Sequence, residues 1–217
     1  MARPRSDIQP RIVHAARQRF LSEGVDGASL RTIARDAGTS IGMVSYYFPT
    51  KDDLFFAVVD EIYQRLLQDI THTLEVDPRS PTPLPAKERL RRMFTRLGSL
   101  DDDELTTVRL VVREVLVSSS RLDRLTERFQ RGHIPIILQT LADGVREGSI
   151  DSRWHPGLLL VATTAMGAVP QFIHRIAGAR LPLGALPAGE PFANQLVDAL
   201  FDGIGRAQEP SKPRRRG

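Results

Sequence analysis

Residues 29–51 read SLRTIARDAGTSIGMVSYYFPTK, and the fold turns on how this stretch is punctuated. Ser29 stands where a helix N-cap is wanted. Leu30, Ile33, Ala34 and Ala37 recur at helical spacing behind it, and Gly38 sits just past them as a C-terminal stop. Thr39 and Ser40 then offer a second cap after only a few linking residues, and Pro49 ends the helix they open. Two short helices joined by so tight a turn predict a helix-turn-helix.

Projected at 100° per residue, the second of these helices separates into two faces. Val44 and Phe48 share one face, with Ile41 at its edge, and this side is expected to pack inward. Thr39, Gly42, Met43, Ser45 and Tyr46 point the other way, and none of them is charged. A helix facing only solvent would carry Glu and Lys there. Small hydroxyls, a phenol and a thioether suit base edges in a major groove, and Gly42 lets the backbone come close. Thr50 and Asp53 have the spacing of a capping box for the next helix. Lys51 falls in its first turn, where the helix dipole disfavours a cation. A phosphate would resolve that conflict; the alternative is pairing with Asp52 or Asp53.

Upstream, Ile8, Ile12, Ala15, Ala16 and Phe20 predict an amphipathic helix capped by Asp7 or Ser6 and stopped by Gly24. Arg11, Arg17 and Arg19 are expected on its polar side, and residues 1–6 form a flexible basic arm. Downstream, Leu54, Phe55, Val58, Ile62, Leu66 and Ile70 continue one long helix, and residues 77–86, with four prolines, break it. Leu90, Met93, Phe94, Leu97 and Leu100 predict another helix, and Leu105, Val108, Val111, Val112, Val115 and Leu116 the core face of the next. Beyond Ser118–Ser120 a long helix should reach Gly148, kinked or interrupted at Pro135. A very apolar helix, Gly157 to Ala177, is expected to bend at Pro170. A Pro/Gly-rich loop at 178–191 precedes the last helix, Phe192 to Arg206. No strand signal appears: the expectation is an all-α fold of about nine helices. Its expected divisions are a helix-turn-helix domain at 1–54, a regulatory and dimerisation domain at 55–207 and a disordered basic tail at 208–217.

Charge is unevenly placed. Residues 1–51 carry eight Lys/Arg against four Asp/Glu, and residues 206–217 five against one, so each end is +4; with +4 overall, the middle is −4. A polyanion should meet the ends. The absence of cysteine excludes a disulfide framework and a thiolate site. No apolar run is read as long enough to span a bilayer, no secretory signal is recognised, and a soluble, cytoplasmic protein is expected. The five histidines are scattered without metal-ligand spacing, and there is no Walker loop, GxGxxG or GxSxG. Neither a metal, a cofactor nor an enzymatic activity is expected.

The stretch from IVHAARQRFLSEGVDGASLRTIARDAG through TSIGMVSYYFPTKDDLF closely resembles the N-terminal DNA-binding domain of TetR/AcrR-type bacterial transcriptional repressors. The order of apolar positions, the Gly24 break, the Ser29 cap, the Tyr47–Phe48 pair and the Thr50–Lys51 helix entry carry the likeness, which covers about a quarter of the chain. The resemblance implies DNA contacts at Arg31, Thr39, Ser40, Gly42, Met43, Ser45, Tyr46, Tyr47 and Lys51. Gly42, Met43 and Ser45 would meet base edges, and Arg31, Thr39, Tyr46, Tyr47 and Lys51 phosphates. The position after Ser40, commonly Lys in this family, is Ile41 here. Arg3 and Arg5 of the arm are candidates to replace the missing charge.

The resemblance also implies a homodimer on a palindromic operator, released by a small-molecule effector. The apolar helix 157–177 supports a dimer independently, because a helix without a polar face must be covered on every side; a central core helix of a monomer is the alternative. Interface candidates are Leu159, Thr163, Met166, Pro170, Leu196, Leu200 and Phe201. Effector candidates are Met93, Phe94, Phe129, His133, Trp154, Met166 and Phe172, which suit a hydrophobic or amphipathic molecule. A helical small-molecule-binding or interaction protein without specific DNA binding is the competing reading.

Overall fold

The computed structural model describes residues 7–74, 84–117, 119–177 and 186–204, so the basic arm, the 208–217 tail, most of the proline-rich 77–86 stretch and most of the 178–191 loop lie outside the described residues. Ten helices and no strand are present among the described residues: α1 (Ile8–Glu23), α2 (Leu30–Asp36), α3 (Ile41–Tyr47), α4 (Lys51–Leu74), α5 (Ala86–Gly98), α6 (Asp102–Val117), α7 (Ser119–Arg131), α8 (His133–Glu147), α9 (Pro156–Ala177) and α10 (Glu190–Ile204). The all-α expectation holds. The tenth helix arises because the long helix expected to run to Gly148 divides at Gly132 into α7 and α8. Pro135 then falls in the first turn of α8, where its missing N–H is not needed, so it starts a helix instead of kinking one. Pro170 stays inside α9.

The chain packs as two units: residues up to Thr71 with Leu100–Gly132, and His72–Ser99 with residues from His133 onward. The first unit therefore includes α6 and α7 as well as the helices of the expected 1–54 domain. In it α1 packs on α2 and α6, α2 on α3, and α6 on α7. Ile12, Ala16, Phe20, Ile33, Val44, Leu54, Phe55 and Val58 form one continuous core with Leu110 of α6 and Leu125 of α7. In the second unit α5 is the hub, packing on α8, α9 and α10.

Four expectations are corrected. Arg17 is not on a polar surface: it is 2% exposed, and its Nη2 and Nη1 reach Glu61 of α4 at 3.0 Å and Asp103 of α6 at 2.6 Å. The inner face of α6 is only partly its valines and leucines: Glu104, Thr107, Leu110 and Glu114 are buried, Val111 and Val115 are half-buried against the core, and Val112 and Leu116 are exposed. Burial of these carboxylates is possible because arginines pair with them: Arg65 lies 3.5 Å from Glu104, and Arg121 2.7 Å from Glu114. Ser29 holds the N-cap position of α2, but its hydroxyl makes no capping bond. Finally, α9 is by length and composition alone apolar enough to cross a bilayer over Pro156–Ile176, and only 22% of that stretch is buried.

The two stops are in place. Gly38 has φ +64°, its N–H donates to Arg35 O at 3.0 Å and the Thr39 N–H donates to Ala34 O at 2.9 Å, the paired closure of a Schellman motif. Gly38→Ala forces a Cβ into the left-handed region. It should cost about 1–2 kcal/mol and lower the melting temperature by roughly 2–8 °C; an unchanged melt would contradict this reading of the turn.

Candidate nucleic-acid interface

The candidate reading helix, α3, is seven residues long, too short to be stable alone. It is held by burial of Val44 (0% exposed) and Phe48 (4%) and by its cap: the Ser40 hydroxyl accepts the Met43 N–H at 3.2 Å. Ser40 thus has a structural duty besides the DNA contact expected of it. The next helix opens through a reciprocal box. The Thr50 N–H donates to Asp53 Oδ2 at 3.1 Å, and the Asp53 N–H to Thr50 Oγ1 at 3.0 Å. The Thr50 hydroxyl bond holds the Asp53 carboxyl below its ordinary range. That stabilisation is present above the ordinary carboxylate pKa and is lost as pH falls through the lowered one.

The faces separate in part as projected. Ser40, Gly42, Ser45 and Tyr46 are exposed, and Arg31 on α2 is exposed beside them in sequence order; Met43, Tyr47 and Thr39 are half-buried. Tyr46 is 77% exposed, with its ring edge-on to Tyr47 at 5.3 Å between centroids. Ile41 is 47% exposed, further out than its edge position suggested. At Gly42 an added Cβ would meet only Ser40 Oγ, at an ordinary 3.8 Å, so the outer side of the helix is open backbone there.

Lys51 does not make the pairing expected with its acidic neighbours. Its Nζ donates neither to Asp52 nor to Asp53 but to the backbone carbonyl of Asp26, at 2.7 Å. Sequence reasoning had no signal for this, since the partner is a main-chain atom of the loop between α1 and α2. Nor did it single out Arg121, whose guanidinium is buried and bonded to Asp26, Asp52 and Glu114. Its hydrogen bond to Asp26 is the main cause of the lowered Asp26 pKa.

The remaining candidates fall in different places. Phe129 belongs to the first unit, its ring 5.7 Å from that of Tyr63. Met93, Phe94, His133, Trp154, Met166 and Phe172 belong to the second. Phe94 is 3% exposed and fills the space above Gly167, where a Cβ would collide with its ring. Burial lowers the His133 pKa, favouring the neutral imidazole. Of the interface candidates, Leu159, Thr163, Leu196, Leu200 and Phe201 are buried within their own unit, and Met166 and Pro170 are half-buried. The side of α9 left open carries Leu158, Val161, Val169, Ile173 and Ile176.

Residues 12–58 match the family model described as bacterial regulatory proteins, tetR family. The chain is 26% identical over 119 residues to a Bacillus subtilis protein named "Probable HTH-type transcriptional regulator YttP", covering 55% of this chain and 56% of that one. It is 35% identical over 69 residues to the HTH-type nicotine-responsive transcriptional repressor HdnoR of Paenarthrobacter nicotinovorans, covering 32% and 36%. The aligned part is thus about half, or less, of these curated relatives. Among solved structures, the transcriptional regulator FadR from Bacillus subtilis, in complex with stearoyl-CoA, is similar over 90% of this chain and 98% of its own, with a TM-score of 0.72 at 18% identity. That likeness shows the fold. With the helix-turn-helix of α2 and α3, residues 12–58 form an N-terminal domain of the kind that the tetR family of bacterial regulatory proteins carries, and the chain shares the all-helical fold of the solved regulator.

Proposed function

We propose that the protein is a sequence-specific DNA-binding transcriptional regulator, a ligand-responsive repressor acting as a dimer. The observation that carries the reading is the outward face of α3. It is uncharged, exposed and open at Gly42, on a helix whose other face is fixed by Val44 and Phe48. Such a face offers hydroxyls and methyl contacts to base edges, and charge for the phosphates comes from outside it, from Arg31, Lys51 and the basic ends.

The dimer reading rests on α9, which turns its apolar side chains outward. Its buried row is Leu159, Thr163, Gly167 and Gln171, half of it polar, while Leu158, Val161, Val169, Ile173 and Ile176 are 41–66% exposed. Water is a poor neighbour for such a row, and a second copy of α9 covers it symmetrically. Two reading helices related by a two-fold axis then address half-sites about one DNA turn apart, ~34 Å. For the effector, the apolar side chains of the second unit, Met93 and Phe94 among them, make a hydrophobic or amphipathic molecule the class to expect. FadR of Bacillus subtilis, bound to stearoyl-CoA, makes an acyl thioester the first compound to try. An effector that binds the non-operator conformation better lowers DNA affinity by that difference.

Selection of duplexes from a random pool tests the reading: the protein should enrich a palindrome and bind it at about 150 mM salt at least ~10³-fold tighter than unselected DNA. Equal binding of selected and unselected DNA would contradict it. Gly42→Ala should leave the melt unchanged or raised by helix propensity, about 1 kcal/mol at most, while weakening binding to the selected duplex; unaffected binding would remove Gly42 from the interface. Val169→Glu should convert the dimer to a monomer in analytical ultracentrifugation, and a retained dimer would place the interface elsewhere.

A further inference from the structure

Arg121 is 6% exposed and sits in the first turn of α7, a poor place for a cation beside the positive end of a helix dipole. Carboxylates from three separate elements hold it there. Its Nε donates to Asp52 Oδ1 in the first turn of α4 at 2.9 Å, and its Nη1 to Glu114 Oε2 of α6 at 2.7 Å. Its Nη1 and Nη2 also donate to the two carboxyl oxygens of Asp26, in the α1–α2 loop, at 3.3 and 2.5 Å. This bidentate fork fixes the orientation of Asp26, a residue otherwise 79% exposed at its side chain. The same residue's main-chain oxygen is the one that accepts Lys51 Nζ at 2.7 Å. Arg121, Asp26 and Lys51 therefore form one connected series of bonds inside the first unit, ending on the cation at the head of α4.

An ammonium has three N–H donors, so the bond to the carbonyl leaves two to meet a phosphate oxygen. A lysine stem already held in place loses less conformational freedom when it binds. We propose that Arg121 is a positioning residue of the DNA interface: through Asp26 it holds the Lys51 ammonium ready for a phosphate, which makes α7 part of the DNA-binding machinery. The proposal rests on the reading of the protein as a DNA binder. A purely structural Arg121, present to neutralise the buried Glu114, leaves Asp26 as an ordinary surface carboxylate near a polyanion.

The two roles predict opposite signs for Asp26→Ala, a variant that keeps the Arg121–Glu114 pair. If Asp26 is only a surface charge, its removal relieves repulsion and tightens DNA binding. If it positions Lys51, binding of the full chain to the duplex selected from a random pool weakens, by roughly 3–10-fold at fixed salt, and the slope of log K against log salt becomes shallower by about 0.9 for each phosphate that is no longer neutralised. Lys51→Met should give the same change of slope, and Asp26→Ala added to it no further weakening. Arg121→Lys, which keeps the charge beside Glu114 but removes the fork, should behave as Asp26→Ala does. Hydrogen exchange without DNA separates the clamp from the function: the Ala28 amide, bonded to Gly24 O at 3.1 Å, should exchange faster in Asp26→Ala. Unchanged exchange overturns the clamp whether or not the wild type selects a DNA sequence. Tighter binding, or additive losses in the double variant, overturns the positioning role; failure of the wild type to select any sequence, with exchange accelerated as expected, overturns the functional reading alone.

Discussion

Burial of Val44 and Phe48 is the interaction on which the candidate interface depends. A seven-residue helix has no stability of its own in water, and α3 owes its existence to the core it closes. Complete burial of side chains of this size contributes about 1.5–3 kcal/mol each, more than any surface contact on the opposite face. Inward burial therefore sets the rotation of α3 about its axis, and the rotation sets which groups face outward. The Gly38 turn and the Ser40 cap define where the helix begins, so its start is set by the turn and its rotation by the buried pair.

Around that core, α4 is tied to its neighbours by arginine and carboxylate pairs as well as by apolar contact. Arg17 joins α1 to Glu61 and Asp103, Arg65 reaches Asp101 and Glu104, Arg128 grips Asp60 with its guanidinium over the Phe56 ring, and Arg121 gathers Asp26, Asp52 and Glu114. Of these only Arg121–Glu114 is buried on both sides; such a pair adds little net stability, yet loss of one partner strands the other charge. Their effect is to fix geometry. Helices α6 and α7 cannot shift against α4 without breaking several charged bonds.

The fold was legible wherever local chemistry decided it. Gly24 and Gly38 stop helices, Thr50 and Asp53 cap one, and Val44 and Phe48 mark an inner face, each by a rule that needs only near neighbours in sequence. What sequence patterns concealed was decided by partners far along the chain. Arg17 looks like a surface residue until Glu61 and Asp103 are brought to it. The inner face of α6 was misjudged because buried Glu104 and Glu114 depend on Arg65 and Arg121, which no helical periodicity reveals. In α9 the want of a polar face suggested cover on every side, and Thr163 and Leu159 looked like interface; instead they are buried within their own unit, while Val161 and Val169 stay open. Lys51 was recognised as a cation at a helix start, but its carbonyl partner belongs to a loop that carries no motif.

The central claim is that the outward face of α3 enters the major groove, once for each protomer of a symmetric pair. Dimethyl sulfate attacks guanine N7, which lies in that groove. On the selected duplex the account predicts two clusters of protected guanines centred about 10 base pairs apart, or a multiple of that, with minor-groove adenine N3 still reactive between them. Undiminished guanine reactivity across the bound site, or one unpaired cluster, would contradict it.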